Sequence, residues 1–116
     1  MLSLLLIDDE RIEYKLFDSA LRKAFGEIYT LEYARSLSSA VPLLEVKTFD
    51  LIFLDDQLSD HKQAVESVPH LKVYSNGAPI VVVSKSTNVE YMKGKKDLGV
   101  ANIVNKFNLS RYFSGM

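Results

Sequence analysis

Apolar residues fall along this chain in short runs separated by amphipathic stretches. Leu2 to Ile7 is a nearly continuous apolar run and reads as a strand buried on both faces. Asp8-Asp9-Glu10 end it, and the period then lengthens. Ile12, Leu16, Ser19–Ala20 and Lys23–Ala24 fall on one helical face, with acids in the first turn where the helix dipole favours them. Gly26 stops that helix. Ile28 to Ala34 alternates as a second strand, placed at a sheet edge because Glu32 sits within it. Ser38 or Ser39 caps a second helix with Pro42 in its first turn, where a missing N–H costs little. Leu51 to Leu54 is a third strand. A polar loop and an irregular helix from about Gln63 to Val73 follow it. Asn76-Gly77 marks a turn, and Ile80 to Val83 is the most β-branched stretch in the chain. Thr87 to Leu98 reads as a polar helix ended by Gly99, Val100 to Val104 as a fifth strand, and Leu109 to Phe113 as the start of a short last helix.

Strand and helix thus alternate five times. Strands joined by crossover helices lie parallel, with helices on both sheet faces. The expected architecture is α/β: one doubly wound, five-stranded parallel sheet spanning residues 1–116. No linker, repeat or low-complexity segment interrupts it.

Composition narrows the chemistry. At 116 residues the chain fits one core. It has no cysteine, which excludes disulfides and thiolate metal sites, and His61 and His70 are too few and too far apart for a zinc motif. No apolar run approaches a membrane span, and the default compartment is the cytoplasm. A formal charge of -1 argues against nucleic-acid binding by bulk electrostatics. The charge is uneven: residues 1–84 carry 8 Lys/Arg against 13 Asp/Glu, and residues 85–116 carry 6 against 2. Lys93, Lys95 and Lys96 make a basic cluster on the polar helix, read as a solvated face or a surface for an anionic partner.

The acids are the informative feature. In an open parallel sheet the active crevice lies beyond the carboxyl ends of the strands. Asp8 and Asp9 follow the first strand, Asp55 and Asp56 the third; Ser84 closes the fourth and Lys106 follows the fifth. In the order 2-1-3-4-5 the first and third strands are neighbours, so their acidic tips converge. Clustered carboxylates raise one another's pKa unless a cation intervenes, and Mg²⁺ takes carboxylates and waters without needing His or Cys. Carboxylate, metal, hydroxyl and ammonium around one point make a phosphoryl-accepting site, with a carboxylate as nucleophile.

These residues resemble the response-regulator receiver domain of two-component signalling, a CheY-like, flavodoxin-like three-layer α/β/α fold, over essentially the whole chain. LLIDDE is similar to the family's first strand and acidic pair, which implies Asp8 and Asp9 as metal-binding acids, Asp9 the direct ligand. FDLIFLDD resembles the third strand with its phosphoacceptor, implying that role for Asp55, with Asp56 left as a solvated or neighbouring acid. PIVVVSKS and NIVNKF resemble the fourth and fifth strands. They imply Ser84 as the phosphoryl-contacting hydroxyl and Lys106 as the site lysine. The backbone carbonyl of Gln57 is then expected to complete a Mg²⁺ shell that also includes Asp55. The implied partners are a sensor histidine kinase or a histidine-phosphotransfer protein, with a downstream output domain or partner protein. Homodimerisation is left open, and no external small molecule is expected to be turned over. The short last helix leads us to expect either a domain cut from a longer chain or an incomplete dimer face at the last strand and its flanking helices.

The sequence also departs from the family's pattern. The loop after Asp55 lacks the usual Pro and Gly, with Ser59 and about Gln63 in their places. Lys85 stands beside Ser84 where a small residue is usual. Ile103 occupies the place of an aromatic switch residue, so output coupling is expected to be atypical. Phe107 replaces the proline after Lys106. A cis bond to a non-proline residue costs roughly 3 kcal/mol, so a trans link is expected. Phe107, Tyr112 and Phe113 are read as packing for the last helix. The competing reading is a pseudo-receiver that acts as a phosphorylation-independent interaction module.

Overall fold

The three central strands of this chain carry apolar residues on both faces, and the computed structural model shows both faces covered. Residues 1–56, 58, 64–84 and 99–115 are described. The strands are β1 (Leu2–Ile7), β2 (Tyr29–Ala34), β3 (Leu51–Asp55), β4 (Ile80–Ser84) and β5 (Asn102–Asn105). Among the described residues there are four α-helices: α1 (Arg11–Phe25), α2 (Leu37–Val46), α3 (Ala64–Lys72) and α4 (Leu109–Ser114). All strand pairs are parallel, in the order β2-β1-β3-β4-β5. This is the doubly wound arrangement expected from the sequence, with β2 and its Glu32 at an edge. The helix expected over 87–98 lies outside the described residues, as do Lys93, Lys95 and Lys96.

Side chains alternate across the sheet with period two, and this sorts the core into two layers. Leu5, Ile7, Ile52, Leu54, Ile80 and Val82 pack under α2 and α3 with Leu37, Leu44, Val68 and Leu71. Leu4, Leu6, Phe53, Val81 and Val83 pack under α1 and α4 with Phe17, Leu21, Leu109 and Phe113. The second layer is built on aromatic rings. Phe113 lies 5.2 Å from Phe17 and 5.7 Å from Phe53 between centroids, both edge-on. A helix of six residues is held in place by that one side chain and Leu109.

Four local expectations are corrected. Ile12 and Leu16 do not face the core: they are 64% and 58% exposed. Two apolar phases compete along α1. The phase bearing Tyr14, Phe17, Leu21 and Phe25 offers far more area to bury, so it turns inward, keeps Ala20 and Ala24 of the expected face at the core, and leaves Ile12 and Leu16 in solvent. The cap of α2 is Ser36, whose hydroxyl accepts from the Ser39 N–H at 3.0 Å. The earlier start buries Leu37 and puts Pro42 beyond the first turn. Phe107 is 80% exposed and is not packing for the last helix, whereas Phe113 is fully buried and Tyr112 partly so. The fifth strand begins at Asn102 rather than Val100, and Val100 packs against the core from the preceding loop.

Candidate functional site

Strand register brings the candidate residues to one edge of the sheet. Ile7 pairs with Leu54, Asp55 with Val83, and Ser84 with Asn105. Asp8 therefore leaves β1 beside Asp55, and Lys106 leaves β5 one residue beyond the level of Ser84. Alternation decides which face each side chain joins. Asp8 and Asp55 continue the rows of Leu6 and Phe53, toward α1. Asp56 and Ser84 continue the rows of Leu54 and Val82.

On the α1 side the Lys106 ammonium sits between two buried carboxylates, 3.1 Å from Asp8 Oδ2 and 3.2 Å from Asp55 Oδ1, with Glu13 Oε1 at 3.9 Å. The lysine side chain is only 8% exposed. Its position is set by a 3₁₀ turn over Lys106–Asn108, capped by Asn105, whose side-chain Oδ1 accepts the Phe107 N–H at 2.9 Å. The peptide link to Phe107 is trans, as expected. Asp8 uses its other oxygen to accept the Glu10 N–H at 2.9 Å, which fixes the chain as it enters α1.

One carboxylate oxygen from each of Asp8, Asp9 and Asp55 lies within 4.8 Å of the others. Three carboxylates against one ammonium leave an excess of two negative charges, with oxygen ligands only. That donor set fits a hard divalent cation such as Mg²⁺, which also keeps several waters. Gln57, expected to add a carbonyl oxygen, lies outside the described residues, and so do Ser59, His61, Gln63 and Lys85.

The electrostatics follow from burial and crowding. Asp55 is pushed up to about 7, first by burial and then by the Asp8 charge, with Lys106 pulling in the other direction. Burial likewise raises Asp8, against the Glu10 amide and Lys106. Burial disfavours the Lys106 charge, but the carboxylates of Asp55 and Asp8 outweigh it and hold its pKa above the ordinary value.

On the other face, Ser84 Oγ donates to Asp56 Oδ2 at 3.0 Å, with both residues buried. Asp56 is thus an interior acid, and of the two expected alternatives it is the neighbouring acid rather than the solvated one. Strand order and acidic tips signalled Asp8, Asp9, Asp55, Ser84 and Lys106; Asp8, Asp9, Asp55 and Lys106 meet, while Ser84 lies at the same sheet edge on the other face, bonded to Asp56. Glu13 and Asn105 gave no signal at the sequence level. Their places near Lys106 depend on the phase of α1 and on a tight turn, neither of which a local pattern encodes.

With this geometry in view, comparison with known proteins identifies the class. The family model of the response regulator receiver domain matches residues 4–111, and the chain belongs to that family. No curated protein matches the chain. Among solved structures, the chain is similar to a CheY-like response regulator receiver domain protein from Methanospirillum hungatei JF-1. The TM-score is 0.76 at 17% identity, covering 99% of this chain and 92% of that one. It is also similar to the chemotaxis response regulator CheY4 of Vibrio cholerae, with TM-score 0.76, 21% identity and coverage of 99% and 98%. A third similar structure is a response regulator from Burkholderia pseudomallei with a phosphorylated aspartic acid, a calcium ion and citrate. There the TM-score is 0.74 at 17% identity, covering 99% and 72%.

Proposed function

We propose that this domain accepts a phosphoryl group on Asp55 from a sensor histidine kinase or a histidine-phosphotransfer protein, in the cytoplasm, and turns over no external small molecule. The observation that carries this reading is the meeting of Asp8, Asp9 and Asp55 with Lys106 at one sheet edge. An Asp55 carboxylate oxygen attacks the phosphorus of a phosphohistidine. The P–O bond forms as the P–N bond breaks, and the electron pair leaves on the imidazole nitrogen. Asp8, Asp9 and Asp55 would hold Mg²⁺, which when bound neutralises the charge of the transferring oxygens. Lys106 already spans Asp8 and Asp55 and can follow the developing charge as a point donor. The phosphorylated aspartic acid and calcium ion in the Burkholderia pseudomallei response regulator support the assignment by analogy.

The test is incubation with acetyl phosphate and Mg²⁺ followed by intact-mass measurement. Wild type gains one phosphoryl group, and Asp55→Asn gains none. An unmodified wild type at high donor and metal overturns the reading. For output, Ile103 is an aliphatic side chain packed on the core beneath α2 and α3. It has no ring to swing, so the signal leaves by another route than an aromatic switch. The same observation favours the pseudo-receiver as second reading. Unchanged partner binding in Asp55→Asn would select it.

A further inference from the structure

The phosphoacceptor chemistry gives Asp56 no part, yet this acid is buried beside the site and bonded to one of its components. The bond is a consequence of register. Asp55 pairs with Val83, so the next residues along each chain, Asp56 and Ser84, lie side by side on one face. The Asp56 N–H continues the ladder to Val83 O at 3.0 Å, which fixes the carboxylate in place. Ser84 Oγ then donates to Asp56 Oδ2 at 3.0 Å, with Ser84 2% and Asp56 6% exposed.

A serine hydroxyl carries one proton and donates to one acceptor at a time. The hydroxyl that would contact a phosphoryl oxygen on Asp55 is therefore engaged elsewhere, by an acceptor bearing full negative charge. Charge-assisted hydrogen bonds are about twice as strong as neutral ones, and burial strengthens them further. Withdrawing the hydroxyl also takes a donor from a buried carboxylate, at the moment when a phosphoryl dianion arrives next to it.

We infer that Asp56 is a positioning residue: its carboxylate holds the Ser84 hydroxyl while Asp55 is unmodified and yields it only when a phosphoryl oxygen competes for the same proton. The inference rests on the phosphoacceptor reading of Asp55. It makes Asp56 a brake that lowers the affinity of the site for the transferred group and favours the unphosphorylated state.

The test is a double-mutant cycle read by fluorine NMR, with beryllofluoride and Mg²⁺ as the phosphoryl mimic. Asp56→Asn is expected to bind beryllofluoride about ten-fold tighter than wild type, the scale of one charge-assisted hydrogen bond. In the S84A background the same substitution is expected to gain only about two-fold, the part due to removing a charge. Equal gains with and without Ser84 overturn the inference. Asp56→Ala repeats the comparison, and the isosteric asparagine carries it if the alanine variant does not fold. The carboxyl-carbon resonance of Asp56 gives a readout without altering that residue. It is expected to move on beryllofluoride addition in wild type and to stay in S84A; a resonance stationary in both overturns the inference. A wild type that binds no beryllofluoride overturns the phosphoacceptor reading together with it. Binding without coupling between Asp56 and Ser84 overturns the brake alone.

Discussion

Replacing Asp55 with asparagine is expected to stabilise the fold, and to do so only above acidic pH. Burial and the Asp8 charge push Asp55 up to about 7 in the folded protein, from an ordinary value of 3.8. Between these values the unfolded chain has lost the proton and the native one keeps it. Stability therefore falls as pH rises through that window, by about 4 kcal/mol once both states are ionised. Asparagine is neutral throughout and escapes the cost. The expected gain is about 4 kcal/mol at about pH 8, shrinking below about 1 kcal/mol near pH 4. Urea unfolding followed by circular dichroism, with a chelator to remove divalent cations, measures it. An Asp55→Asn variant no more stable than wild type above about pH 7 would refute the reasoning. Lys106 would then already neutralise the burial cost, and the carboxylate cluster would not be a destabilised one.

Removing the ammonium has the opposite sign: Lys106→Met leaves Asp8 and Asp55 facing each other, and is expected to lose about 3–5 kcal/mol in chelator at about pH 8. Most of that loss should vanish in the D55N background when unfolding midpoints are compared. Mg²⁺ at about ten times its Kd is expected to add about 1.4 kcal/mol to wild type, read from the same unfolding curves. Asp9→Asn should blunt that gain without matching the pH-dependent stabilisation of D55N. Phe113→Ala removes the ring that joins Phe17 and Phe53, and is expected to cost about 3–5 kcal/mol by thermal or urea unfolding.

Much of the fold was legible because the strands are buried on both faces. LSLLLI, LIFLD and IVVVS are runs suited to a covered parallel sheet, and the sheet order β2-β1-β3-β4-β5 then brings the acids after β1 and β3 together. The phase of α1 was not legible. Ile12 and Leu16 keep helical spacing as well as Phe17 and Leu21 do, and only the volume available beneath the helix decides between them. The same phase carries Glu13 toward Lys106, so an error about the helix face concealed a fourth acid at the site. The Ser84 partner of Asp56 was not legible for a related reason. Adjacent acids look alike in sequence, but period-two alternation sends one toward α1 and Lys106, and the other toward Ser84.

Core and site are one mechanical object at the end of β5. Asn105 closes the turn that carries Lys106, and Leu109 opens α4 immediately after that turn. Phe113 locks α4 against Phe53, the residue two before Asp55 on the same strand face. The lysine and the carboxylate it neutralises are therefore positioned from a shared aromatic layer, one through a six-residue helix and the other through a buried strand. A cation drawn between two buried acids needs such rigidity, since the attraction offsets desolvation only when geometry is held closely. The aromatic layer supplies the stability that the carboxylates consume. A divalent cation at Asp55 would relieve part of that stored repulsion, which gives the site a reason to respond to one.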